Sequence, residues 1–180
     1  MLRILLAGAL SLVVGTAHAG LIGDHLSVQY VYPNGDDSHN GTSSTLPQRF
    51  TIGDGAEAMI TIGGTSVVAD FTDDKLRVQF GTSVPARFSP ATFNGLVFTL
   101  TSPSALGIVA ADVTDTTAFA FTNSHVTFDD THLLLDFGGL NYSNASEFDI
   151  TFTSVPEPAS VALFGAALAG LAALRRRRRN

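Results

Sequence analysis

SVVADFTDDKLRVQF, running from Ser66 to Phe80, decides the fold. Residues 66–71 and 75–80 are short runs rich in β-branched and aromatic side chains, the composition of strands. Between them Thr72-Asp73-Asp74 carries the turn chemistry of a hairpin, because aspartate bonds its own backbone where the chain reverses.

The same vocabulary extends outward from this hairpin. Leu26, Val28, Tyr30 and Tyr32 alternate along residues 26–32 and predict a first strand, followed by a polar loop at residues 34–41. Further strands are expected at residues 49–52, 56–62, 95–101, 109–114, 118–122, 125–128, 132–137 and 148–153. A second hairpin turn is expected at Asp129-Asp130-Thr131. Residues 20–154 show no helical period. Many short strands about ten residues apart predict an all-β domain, an antiparallel β-sandwich of jelly-roll-like or similar topology, with a closed barrel as the alternative. Nine phenylalanines (Phe50, Phe71, Phe80, Phe93, Phe98, Phe128, Phe137, Phe148 and Phe152) are expected to form its core rather than a sugar platform.

At 180 residues the chain has room for one ordinary domain with short appendages. It has no cysteine, which excludes disulfides, thiolate metal sites and a cysteine nucleophile. The middle carries four cations (Arg49, Lys75, Arg77 and Arg87) against fifteen carboxylates between Asp24 and Asp149, a net charge of −11. Such a surface repels nucleic acid and favours solubility and divalent cations.

Both ends carry targeting features. Met1-Leu2-Arg3, an apolar run and the small residues Ala17 and Ala19 before Gly20 have the form of a secretory signal peptide, residues 1–19, cut by signal peptidase. A retained anchor fits less well, because the run is short and ends in small residues. At the other end, residues 159–174 contain no charge and are predicted as a transmembrane helix. Sixteen residues rise about 24 Å, against ~30 Å of hydrocarbon, so flanking arginines must snorkel to complete the span. The stop-transfer cluster Arg175, Arg176, Arg177, Arg178 and Arg179 favours a cytoplasmic end, leaving the middle domain outside the cytoplasm. Pro156 and Pro158 hold Val155, Pro156, Glu157 and Pro158 extended beside the bilayer, a good protease substrate.

Pro-Glu-Pro, an apolar helix and an arginine cluster, in that order behind a signal peptide, resemble the PEP-CTERM sorting tail of Gram-negative bacteria. The resemblance covers residues 155–180. It implies an exosortase as partner, cleavage near Pro156-Glu157-Pro158, transient residence in the inner membrane, and delivery to the cell surface or exopolysaccharide matrix. A plain single-pass anchor is the alternative. Residues 93–98 and 128–140 resemble uncharacterised ectodomains with the same tail, a resemblance that does not point to any particular activity.

Catalytic chemistry finds little support. The middle histidines His25, His39, His125 and His132 lack metal-ligand spacing, and there is no Gly-x-Ser-x-Gly elbow. His125 and His132 flank one hairpin and could approach across it. The paired carboxylates Asp36/Asp37, Asp73/Asp74 and Asp129/Asp130 are weak calcium candidates on loops, since calcium needs six to eight oxygens. Solvated turns are the expected reading of these pairs, since aspartate bonds its own backbone in turns. No catalytic residue and no obligatory cofactor are therefore expected. The expected function is an exported, non-catalytic surface or matrix protein; the alternative is a ligand-binding module for calcium, carbohydrate or ice. Thr-x-Thr occurs at Thr99/Thr101 and Thr151/Thr153 without a repeat, and the absence of tryptophan weakens the carbohydrate reading.

Overall fold

The computed structural model describes residues 20–33, 46–101 and 105–154, together with Gly165 and Gly170. The chain divides into Ala19–Pro156 and a second unit formed by Met1–His18 with Glu157–Asn180. Of the second, only Gly165 and Gly170 are described, both helical. Among the described residues no helix is long and apolar enough to cross a membrane, and all of the span expected at residues 159–174 except Gly165 and Gly170 lies outside them.

Among the described residues the first unit has twelve strands. In chain order they are β1 (His25–Val31), β2 (Gln48–Thr51), β3 (Ala58–Ile62), β4 (Thr65–Phe71), β5 (Lys75–Thr82), β6 (Ala86–Arg87), β7 (Gly95–Leu100), β8 (Ile108–Thr117), β9 (Val126–Phe128), β10 (His132–Asp136), β11 (Asn141–Tyr142) and β12 (Glu147–Ser154). One antiparallel sheet has the order β2-β1-β7-β10-β9, the other β3-β4-β5-β12-β8, and β6 pairs with β11 in a short ribbon. Among the described residues neither sheet closes on the other, so the domain is a sandwich and not a barrel.

The hairpin at Ser66–Phe80 forms as its sequence predicts. The Thr72 N–H donates to the Lys75 carbonyl at 2.8 Å, and β4 pairs with β5 so that Phe71 faces Leu76 and Asp70 faces Arg77. Alternation then sends Val67, Ala69, Phe71, Leu76, Val78 and Phe80 inward. From the opposite sheet come Leu26, Val28, Leu96, Phe98, Leu133 and Leu135, all in the same core. The two layers lock edge to face where Phe71 meets Phe98, ring centroids 5.3 Å apart at 85°, a favourable quadrupole geometry.

Six of the nine expected phenylalanines are buried in this core. Phe50 and Phe128 pack against it half-buried, and Phe93 joins Val31 and Val97 in a second small cluster. Phe88, Phe119 and Phe121 are core members that the strand pattern did not single out.

Residues 118–122 are not a strand. Ala118 has a φ of 51° and turns the chain out of β8, an uncommon conformation for a residue with a β-carbon. The Ser146 hydroxyl donates to the Ala118 carbonyl at 2.7 Å. Phe119 and Phe121 alternate because both rings reach Phe148, stacked at 5.7 and 4.0 Å. Period-two burial here records packing, not a ladder. The strand expected from residue 125 starts at Val126, behind the 3-10 turn Asn123–His125.

Candidate functional site

An open cleft of about 380 Å³ lies at one end of the sandwich. β1 contributes Tyr30, and Tyr32 follows it one residue past the strand end; β7 is preceded by Asn94. The ribbon places the rest: Asn141 pairs with Arg87 and Tyr142 with Ala86, which sets Arg87, Phe88 and Tyr142 along one wall. All three tyrosines of the chain therefore meet here.

The floor is a buried hydrogen-bond chain. The Tyr30 hydroxyl donates to Asn94 Oδ1 at 2.6 Å, and Asn94 Nδ2 donates to the Ser89 carbonyl at 2.7 Å. The Asn94 N–H donates to Asp136 Oδ1 at 3.0 Å, which also accepts the Gly138 N–H at 2.9 Å. Asn94 is 1% exposed, so its amide is a fixed part of the scaffold. Burial, with Tyr32 and Tyr142 nearby, pushes the Tyr30 phenol up to about 12 and keeps it a donor at neutral pH.

The walls are better exposed. Tyr142 lies against Phe88, ring centroids 4.5 Å apart, and its hydroxyl shares a 3.0 Å hydrogen bond with Thr65 Oγ1. Arg87 is exposed, and its Nε donates to the Gly139 carbonyl at 2.9 Å. Among the described residues its terminal nitrogens meet no carboxylate, and none of the described lining residues is acidic. Arg87 stood out in the sequence only as one of four middle cations, and Tyr30 and Tyr32 only as one face of a strand.

Of the weak calcium candidates, Asp36 and Asp37 lie outside the described residues, and the carboxylate of Asp129 is engaged in its own turn. Asp129 Oδ1 accepts the N–H groups of Thr131 and His132, both at 2.7 Å, and the Thr131 hydroxyl at 3.0 Å. These bonds, the Thr131 N–H first, hold its carboxyl below the usual range. Asp73 and Asp74 form the β4–β5 turn, where the Asp74 carbonyl accepts from Phe152 N–H at 2.7 Å. Asp130 is exposed, and its carbonyl accepts from Leu106 N–H at 2.8 Å. Among the described residues no group of three or more His, Asp or Glu side chains could hold a metal ion. His125 and His132 serve different turns: His125 Nδ1 accepts the Thr122 N–H at 3.2 Å, and His132 Nδ1 lies 3.3 Å from Asp129 Oδ1.

Ala17 and Ala19, the stretch Val155 to Pro158 and the arginines 175–179 lie outside the described residues; Gly20 opens the described chain. Residues 20–154, as far as they are described, thus form an all-β sandwich, and residues 155–180 follow it in the sequence. Residues 154–178 match the PEP-CTERM protein-sorting motif. The chain carries this motif at its C-terminus, downstream of a β-rich domain, and the motif implies an exported protein sorted by an exosortase to the cell surface. No curated protein and no solved structure matches the chain.

Proposed function

We propose that this protein is a non-catalytic surface or matrix component, delivered to the exopolysaccharide layer after its tail is cut. Signal peptidase removes residues 1–19 after Ala19. Residues 159–174 then hold the chain in the inner membrane, with Arg175 to Arg179 in the cytoplasm. Moving each guanidinium through hydrocarbon costs roughly 2.5–3.5 kcal/mol on insertion scales, which fixes that orientation. The exosortase cuts near Pro156-Glu157-Pro158, and the domain leaves outward.

One observation carries this reading. β12 ends at Ser154, the residue at which the sorting motif begins. β12 lies inside the second sheet, between β5 and β8, so the domain needs the chain through this strand. Cleavage at Pro156 to Pro158 spares every strand, whereas a cut a few residues earlier would take a central one. The non-catalytic part is supported by Asp129 and His125, whose side chains accept backbone N–H groups of their own turns.

The test is a tagged full-length chain followed in cells with and without the exosortase. Release only with the enzyme is expected, as is its loss when Pro156, Glu157 and Pro158 become alanine. Equal release in both strains would leave a plain anchor with unrelated proteolysis as the better account.

A further inference from the structure

We infer that the tyrosine cleft is a binding site for an anionic sugar, a pyranose unit bearing a carboxylate, such as a uronic acid within a polysaccharide chain. The inference takes its biological setting from the delivery proposed above, but the binding itself stands on the cleft.

Three features point to this chemistry. The cleft volume, about 380 Å³, lies within the range of small-ligand sites, about 300–1,000 Å³. Its walls combine half-exposed aromatic rings, Tyr32 and Tyr142, with exposed polar groups at Thr61 and Ser89. A pyranose presents an apolar C–H face and a rim of hydroxyls, and such walls match both. A purely apolar ligand would leave the polar groups without partners, and a small polar one would leave the rings uncovered.

Charge selects within the sugars. The domain from residue 20 to 154 holds fifteen carboxylates against four cations, yet no described lining residue is acidic and one is Arg87. Two of the other three, Lys75 and Arg77, are tied to Asp149. Arg87 is held at Nε by the Gly139 carbonyl, which fixes the side chain while leaving its terminal nitrogens to a ligand. A guanidinium with free terminal N–H groups suits a planar carboxylate. The floor is rigid before anything binds, because Tyr30 and Asn94 already satisfy one another.

The acidic surface also sets a salt dependence. Far from the cleft, repulsion slows the approach of an anionic chain, and salt screens it within about 8–10 Å. The Arg87 contact is short and weakens less. Binding of the anionic sugar should therefore hold or improve as salt rises toward physiological strength.

The experiment is calorimetric titration of the full chain in detergent with hexagalacturonate, against neutral cellohexaose. The expected result is at least a roughly tenfold preference for hexagalacturonate. Tyr32→Ala should weaken it about tenfold, and Tyr32→Phe should restore most of it. Arg87→Gln, which can still donate to Gly139, should abolish the preference for the charged glycan. Thermal unfolding of each variant confirms that the fold is kept. No binding of hexagalacturonate by the folded wild type would overturn the inference. So would equal binding of cellohexaose, or unchanged affinity in both Tyr32→Ala and Arg87→Gln. The same variants should still be released by the exosortase, so lost binding with normal release counts against the cleft alone. Normal binding without exosortase-dependent release counts against the delivery alone.

Discussion

The Asp73 carboxylate occupies the place that a β-carbon on Gly20 would take, while the Leu21 N–H donates to the Asp73 carbonyl at 2.9 Å. The start of the described chain is thus seated on the β4–β5 turn, and Leu21, 2% exposed, is anchored in the core beside it. A side chain at residue 20 must push the short Asp73 side chain out. Gly20→Val is expected to cost about 1–2 kcal/mol through this crowding, whereas Gly23→Ala is strained only by its φ of 93°. Thermal unfolding of the two variants makes the comparison. If the first proposed cut is right, N-terminal sequencing of the exported protein reads Gly20, and a start before it would overturn that cut.

On the outer face of the second sheet, Asp149 is held by three charge-assisted bonds: Arg77 Nε at 2.8 Å, Arg77 Nη2 at 2.9 Å and Lys75 Nζ at 3.2 Å. The Arg77 bonds are the main reason its carboxyl is held below the usual range. A lowered folded value means that the stabilisation is complete above the unfolded aspartate range, near ~3.9, and is lost as pH falls through the folded value. Both cations are part-exposed, so solvent screens the pair, and Asp149→Asn is expected to cost only about 1–2 kcal/mol at pH 7. Denaturant titrations at pH 7 and pH 2 check this: the difference between wild type and variant should shrink at the lower pH.

β8 is an edge strand, and Asn123 acts on it as a partial partner. Its Oδ1 accepts the Val113 N–H at 2.7 Å, and its Nδ2 donates to Asp112 Oδ1 at 3.0 Å. An open edge with free backbone donors is a template for pairing between molecules. Asn123→Ala should therefore change stability by less than about 1 kcal/mol, since the site is exposed. It should instead raise self-association, seen as a concentration-dependent shift in light scattering. A variant that stays as monodisperse as the wild type would show that the 3-10 turn alone protects the edge.

Gly95 opens β7 beside the cleft floor, where a β-carbon would run into the Leu135 carbonyl of β10. The obstacle is backbone, which cannot swing aside as Asp73 can. Gly95→Ala should cost about 1–3 kcal/mol and disturb Asn94, its chain neighbour, more than any wall residue. Amide exchange would show the loss first at Asn94 and Phe137, whose N–H donates to the Asn94 carbonyl at 2.7 Å.

Much of the molecule was legible residue by residue. Period-two alternation at Leu26–Tyr30 and at Leu76–Phe80 sorts side chains to one face whatever the partner strand, so strands and core could be read locally. The hairpin turns at Thr72–Asp74 and Asp129–Thr131 were equally local: the Thr72 N–H bonds the Lys75 carbonyl across one, and the Asp129 carboxylate caps the backbone of the other. The tail was plain for a different reason: a sorting motif is a contiguous run of sequence, so its information is linear. Alternation failed at Phe119 and Phe121, where burial against Phe148 imitates a strand. It also missed β6 and β11, two residues each, which exist only because Arg87 and Asn141 are brought together from 54 positions apart in the chain. The cleft belongs to that second class. Tyr30, Arg87, Asn94 and Tyr142 carry no spacing signal, because their meeting depends on how two sheets pack and where a ribbon closes. Local periodicity and linear motifs are properties of neighbours in sequence; a binding wall built from four distant segments is a property of the fold alone.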